Sequence, residues 1–178
     1  MAWALSWWAA AVWRDRAASK LPRSRQIGYR VLAVVGALLL FGGYRHRPES
    51  ELLLWRIPSA AAWACVAGAA AGLAFTWWAR IHLGRLWSSS VGSKAHHRVV
   101  DSGPYGIVRH PIYTGITFAS LATAAMRGTA AGFAGAAIMT AGWVVKARLE
   151  EQFLRQQLGA EAYDAYARRV PMLVPFLR

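Results

Sequence analysis

The stretch from Ser59 to Ala79, SAAAWACVAGAAAGLAFTWWA, contains no Asp, Glu, Lys, Arg or His. At about 1.5 Å per residue, a helix over this run covers roughly 30 Å, the thickness of a bilayer's hydrocarbon core. In that medium every backbone N–H and C=O must be paired within the protein, which a helix achieves by itself. The run therefore commits the chain to a helical membrane architecture. Gly68 and Gly72 form a GxxxG pair inside it, a spacing that lets a neighbouring backbone approach closely.

Other segments repeat the pattern. Ile27–Gly43 is apolar apart from Arg30, whose long side chain can snorkel to the interface. Ile112–Met126 and Thr129–Val145 are separated only by Arg127 and Gly128, which predicts a tight helical hairpin. The amino-terminal MAWALSWWAAAVW has no basic segment ahead of its apolar residues and does not read as a signal peptide. It is short for a span, and its four tryptophans suit an interface, so it is either an interfacial helix or a fifth crossing. The expected fold is all-α, a bundle of four to five transmembrane helices.

A net charge of +13 raises the question of nucleic acid. A nucleic-acid-binding domain gathers its cations on one face or arm of a soluble fold. Here they fill the gaps between apolar runs, in a chain that is 56% hydrophobic and 16% charged, and no nucleic-acid partner is expected. Five Lys/Arg precede the Ile27 run, five lie between Arg80 and Pro111, and six follow from Lys146 onward. The opposite side carries Arg45, Arg47, Arg56 and Arg127. The positive-inside rule then puts the three richer segments in the cytoplasm, so the Arg80–Pro111 segment and the carboxy-terminal tail emerge on one face.

Those two segments hold the polar chemistry. In DSGPYG, Gly103-Pro104 and Gly106 force a turn. In RHP, Pro111 keeps His110 out of helix and suits the first turn of the next one. His110 and Tyr113 thus flank a helix N-terminus, whose open N–H groups favour an anionic group. Taken alone, His110 would be a capping residue, and Tyr105 and Tyr113 interfacial aromatics. Glu150 and Glu151 are adjacent among only eight acidic residues. Glu151 has Arg155 at i,i+4, whereas Glu150 has Lys146 at i−4, the less favourable order. A zinc site from His96, His97, His110 and Cys65 lacks ligand spacing, and no metal is expected. A carboxylate, cations, imidazoles and phenols at one membrane face make a pocket for a zwitterionic cofactor.

HRVVDSGPYGIVRHPIYTG, then EEQFLRQQLGAEAYDAYARRVPMLVP, closely resembles the isoprenylcysteine carboxyl methyltransferase family, which belongs with the phospholipid methyltransferases. WARIHLGRLWS, Trp78 to Ser88, joins the resemblance, which covers about the last hundred residues. It implies an integral-membrane enzyme using S-adenosylmethionine, with residues 1–79 as amino-terminal membrane helices and 80–178 as the catalytic region of one domain. Carried over residue by residue, it assigns cofactor binding to His97, Arg98, Val99, Val100, Tyr105, His110, Pro111, Ile112 and Tyr113. Glu150 matches the family's cofactor-binding glutamate, with Glu151 the adjacent alternative. Four residues before that glutamate the family usually has a substrate-facing arginine. This chain has Lys146 there and Arg148 two residues on, a point charge in place of a bidentate fork.

The resemblance implies methyl transfer to a lipophilic acceptor, a small molecule or a lipidated substrate reached from the membrane lipid. The carboxylate of an isoprenylcysteine-like compound is one candidate; thiols, fatty acids and phospholipid headgroups are others. The site would face the cytoplasm, and the Ala-, Trp- and Arg-rich character points to a bacterial inner membrane. Two rivals are an NADPH-dependent membrane reductase of related fold, which typically reads RHxNY where this chain has RHPIY, and a non-catalytic membrane protein.

Overall fold

The structure, a computed structural model, describes residues 19–20, 22–42, 52–87, 92–93 and 99–177. The amino-terminal segment read as an interfacial helix or fifth crossing lies outside these residues, as do His97 and Arg98. Four long helices dominate: α1 (Arg23–Phe41), α2 (Ser59–Leu83), α4 (Pro111–Arg127) and α5 (Ala130–Leu158). Between α2 and α4 lie a 3-10 turn at Gly84–Leu86 and the single turn α3 (Pro104–Ile107). Helix α6 (Ala160–Arg169) follows α5. Strand β1 (Ser19–Lys20) pairs antiparallel with β2 (Gly92–Ser93).

The breaks lie where the sequence chemistry sets them. Pro58 precedes α2, and Pro111 opens α4 at a position whose N–H would have no helical partner. Gly128, left-handed at φ 63°, stops α4, and Thr129 caps α5 by accepting the Gly132 N–H at 3.1 Å. The expected hairpin is therefore present. Two details differ from expectation. DSGPYG turns, but through one helical turn entered by Gly103 at φ 56°. The second helix of the hairpin also continues past Val145, since α5 runs unbroken from Ala130 to Leu158.

Among the described residues, three helices are long and apolar enough to cross a membrane: Ser24–Phe41, Ser59–Leu83 and Ala130–Gln157. They turn bulky apolar side chains outward, including Val34, Leu38, Trp63 and Ile81, all more than half exposed. A soluble protein rarely leaves so much apolar surface in water, so this exterior belongs in lipid. Inside, contact depends on small residues. A Cβ at Gly72 would sit 2.6 Å from Gly115 O, which fixes the closest approach of α2 to α4. The α1–α5 contact is equivalent, with a Cβ at Gly36 only 2.7 Å from Gly135 O.

One end of the bundle is tied by backbone pairing. Leu54 N donates to Gly128 O at 2.7 Å and Ala130 N to Leu52 O at 3.0 Å, which straps the 52–55 segment over the α4–α5 hairpin. The Arg127 guanidinium donates to Leu39 O and Leu40 O, taking up carbonyls that the last turn of α1 leaves open. The polar site forms at the opposite end.

Candidate functional site

At that end the RHP turn and the carboxy-terminal tail run side by side. Arg109 N donates to Pro171 O (2.8 Å), His110 N to Met172 O (3.1 Å), and Thr114 Oγ1 to Leu173 O (2.6 Å). Arg109 Nη1 donates to Ala167 O and Val170 O at 2.9 and 2.6 Å, placing a cation at the negative end of α6. Tyr166 OH donates to Tyr105 O at 2.7 Å, tying α6 to α3. The two polar stretches thus meet on one face, as the charge distribution led us to expect.

His110 takes the N-cap position of α4, but its side chain makes no cap bond. Its ring points at α5, with Nε2 3.1 Å from Glu151 Oε1 and Nδ1 3.6 Å from Glu150 Oε2. A carboxylate against each nitrogen makes the ring a double donor, the imidazolium form. Burial opposes that charge, but hydrogen bonding and attraction from Glu150 and Glu151 outweigh it and raise the pKa above 6.5. Glu151 also accepts from Arg109 Nε at 2.8 Å. The expected Glu151–Arg155 pair is absent, because Arg155 Nε instead meets Asp164 Oδ1 at 2.6 Å.

Glu150 faces a different set. Tyr113 OH donates to its Oε1 at 2.7 Å, and Lys146 Nζ lies 3.9 Å from the same oxygen. The Tyr113 ring stacks between His110 and Trp143, at centroid distances of 5.5 and 5.3 Å and interplanar angles of 12° and 6°. Lys146 Nζ lies over three rings: Tyr113 at 5.2 Å, Tyr29 at 5.5 Å and Trp143 at 5.9 Å. Contacts of this kind contribute about 0.5–2 kcal/mol each depending on desolvation, so the π faces add to what Glu150 supplies to the buried ammonium.

The other expected residues take varied places. Pro111, Ile112 and Tyr105 are buried around the cluster. Burial, then the charge of Glu150, raises the Tyr105 pKa, so its hydroxyl stays protonated. Val100 packs on the core that includes Tyr105 and Tyr113, and Val99 on Tyr163 and Tyr166. Arg148 is exposed, two residues and so roughly 200° around the helix from Lys146. Three members were missed in the sequence. Arg109 was legible inside RHP, and Trp143 stands one helical turn before Lys146. Tyr29, on α1, gave no signal, because its place depends on how α1 packs.

A model of the isoprenylcysteine carboxyl methyltransferase family matches residues 64–156. Over 83 residues the chain is 36% identical to protein-S-isoprenylcysteine O-methyltransferase B of Arabidopsis thaliana, covering 46% of this chain and 42% of that protein. Over 73 residues it is 47% identical to methanethiol S-methyltransferase 2 of Bradyrhizobium diazoefficiens, covering 41% of this chain and 27% of that protein. The chain thus matches less than half the length of either relative.

Proposed function

The chain belongs to the isoprenylcysteine carboxyl methyltransferase family of membrane proteins, and on that premise we propose that it transfers a methyl group from S-adenosylmethionine to a lipophilic nucleophile. The observation that carries the reading is the division of labour between two adjacent carboxylates. Glu151 is taken up by Arg109 and His110, whereas Glu150 is held by a neutral phenol and two looser cation contacts. That donor set fits an amino-acid ammonium, which Glu150 would accept. The turn from Val99 to Tyr113 would enclose the remainder of the cofactor.

S-adenosylmethionine supplies an already activated methyl, so the chain's task is alignment, which can contribute up to roughly 7–11 kcal/mol in ideal cases. His110, clamped between two carboxylates, fixes the orientation of Glu150. Tyr113 and Trp143 keep water from the reacting side. Lys146 would orient an anionic acceptor, either a carboxylate as in an isoprenylcysteine or a thiolate, the two acceptor types that the relatives' names carry. Arg148, at the exposed surface, would assist only by attraction. We read α4 as a fourth crossing, since its 17 residues reach about 25 Å. The acceptor would enter from the lipid, and the site would open to the cytoplasm of a bacterial inner membrane.

Calorimetric titration of the detergent-purified protein with S-adenosylhomocysteine tests the reading. Glu150→Gln removes a charge-assisted bond worth about 1.5–3 kcal/mol, a weakening of at least roughly tenfold. His110→Ala should weaken binding by a similar factor. Binding of NADPH in place of S-adenosylhomocysteine would move the chain to reductase chemistry, and binding of neither would sink the enzymatic reading.

A further inference from the structure

Among the described residues, the Trp143 indole Nε1 and the Thr117 Oγ1 are buried without a hydrogen-bond partner in the protein. They belong to α5 and α4, the helices of the hairpin, where an unpaired donor in apolar surroundings is costly. Neighbouring groups are treated differently. On α4, Thr114, Ser120 and Thr123 each donate to the carbonyl four residues back, at 3.2, 2.8 and 2.8 Å. Thr117 makes no such bond to the Tyr113 carbonyl. Trp55 donates its Nε1 to Ala125 O at 3.1 Å, whereas Trp143 finds no acceptor.

Both orphans lie close to the proposed reacting side. Trp143 stacks on Tyr113 at 5.3 Å with the rings 6° apart, and Thr117 follows Tyr113 by one helical turn. Stacking occupies a ring face, while the indole N–H lies in the ring plane and donates from the edge. Trp143 also packs against two apolar clusters, one around Tyr113 and one around Ala136, so the ring is fixed in place. Along α5, Trp143, Lys146 and Glu150 stand at i, i+3 and i+7, on one face of the helix.

We propose that Trp143 Nε1 and Thr117 Oγ1 form a polar seat for the head of the methyl acceptor, holding the atom beside its nucleophile. The proposal rests on the methyl-transfer reading and deepens it. The seat suits a head with two hydrogen-bond-accepting atoms. One is held by the N–H and O–H donors while the other forms the new bond to the methyl carbon. The bond from that carbon to sulfur breaks as the new one forms, its electron pair stays on sulfur, and an ionised head has no proton to lose. A carboxylate has two such oxygens. A thiolate has only its attacking sulfur, a weak acceptor, and gains little from the seat. Trp143 and Thr117 therefore set the preference between the two acceptor types.

The first measurement needs no acceptor. Thr117→Val keeps the shape and removes the hydroxyl, so the thermal midpoint in detergent should stay unchanged or rise. A lowered midpoint shows that the hydroxyl already has a partner and overturns the seat. The second measurement compares methyl transfer to octanoate and to octanethiol, as a ratio of kcat/KM values that cancels the folded fraction. Trp143→Phe keeps a ring on Tyr113 and loses the N–H. It should lower the octanoate-to-octanethiol ratio roughly tenfold or more, through KM for octanoate, and Thr117→Val should lower it in the same direction. An unchanged ratio overturns the seat, and if Trp143→Phe does not fold, the Thr117→Val ratio decides. If octanoate alone is methylated, its KM is read in place of the ratio. A wild type that methylates octanethiol alone, or neither probe, overturns the seat. Its binding of S-adenosylhomocysteine then shows separately whether the methyl-transfer reading stands.

Discussion

His110 and Glu151, 41 positions apart in the chain, meet at 3.1 Å, and the same Glu151 oxygen accepts from Arg109 at 2.8 Å. That oxygen joins α5 to the turn that begins α4, and through Arg109 to the end of α6. Its neighbour Glu150 shares only the histidine, so the two carboxylates separate a structural role from a proposed binding role.

Replacing Glu151 by Gln leaves Arg109 and His110 facing a neutral amide. Breaking a buried pair in this way costs about 3–5 kcal/mol. We expect Glu151→Gln to lower the chemical-unfolding midpoint in detergent far more than Glu150→Gln does. Equal losses in the two variants would contradict the separation.

His110 also sets a pH dependence. Its native pKa is raised above the unfolded value of 6.5. The stability it contributes is therefore complete below about pH 6.5 and disappears as pH rises through the raised native value. The difference in unfolding free energy between wild type and His110→Gln should shrink as pH climbs from 6 toward 9. A constant or growing difference would show that the ring is neutral in the native state. The groups facing it are Glu150 and Glu151 on α5, Arg109 and Lys146 beyond them, and the Tyr113 phenol.

The glycine contacts predict a steric penalty at the seam between α2 and α4. A Cβ at Gly72 would meet Gly115 O at 2.6 Å, backbone that cannot easily give way. Gly72→Ala should destabilise by about 1–3 kcal/mol, as overpacking usually does. Gly28→Ala, where a Cβ meets nothing within 4 Å, should be neutral or mildly stabilising. Thermal unfolding of the two variants side by side checks the contrast.

At the other end, Arg127 holds the last carbonyls of α1. Arg127→Met should release them, at about 1.5–3 kcal/mol for charge-assisted bonds. Hydrogen exchange read by mass spectrometry should speed up in the last turn of α1, while S-adenosylhomocysteine affinity stays within about twofold because the site is at the opposite end. Exchange unchanged there would mean that the cap is dispensable.

The sequence alone marked three segments long and apolar enough to cross a membrane, because an uncharged run of bilayer length such as Ser59–Ala79 has few other fates in water or membrane. It also determined the breaks at Pro58, Gly103, Pro111 and Gly128, which follow from local backbone sterics, and it brought the RHP turn and the Glu150 region to one face by charge. It could not assign partners. Glu151 had an eligible cation one turn away in Arg155, yet the packing of α6 gave Arg155 to Asp164 and Arg109 to Glu151. Nor could it find Tyr29 beside Lys146, because that meeting depends on Gly36, Gly135 and Gly142 letting α1 lie against α5. Local chemistry acts through a few bonds of chain and is written in order along it. The choice among equally eligible charges and rings is made by helix packing, where distance in space has no relation to distance in sequence.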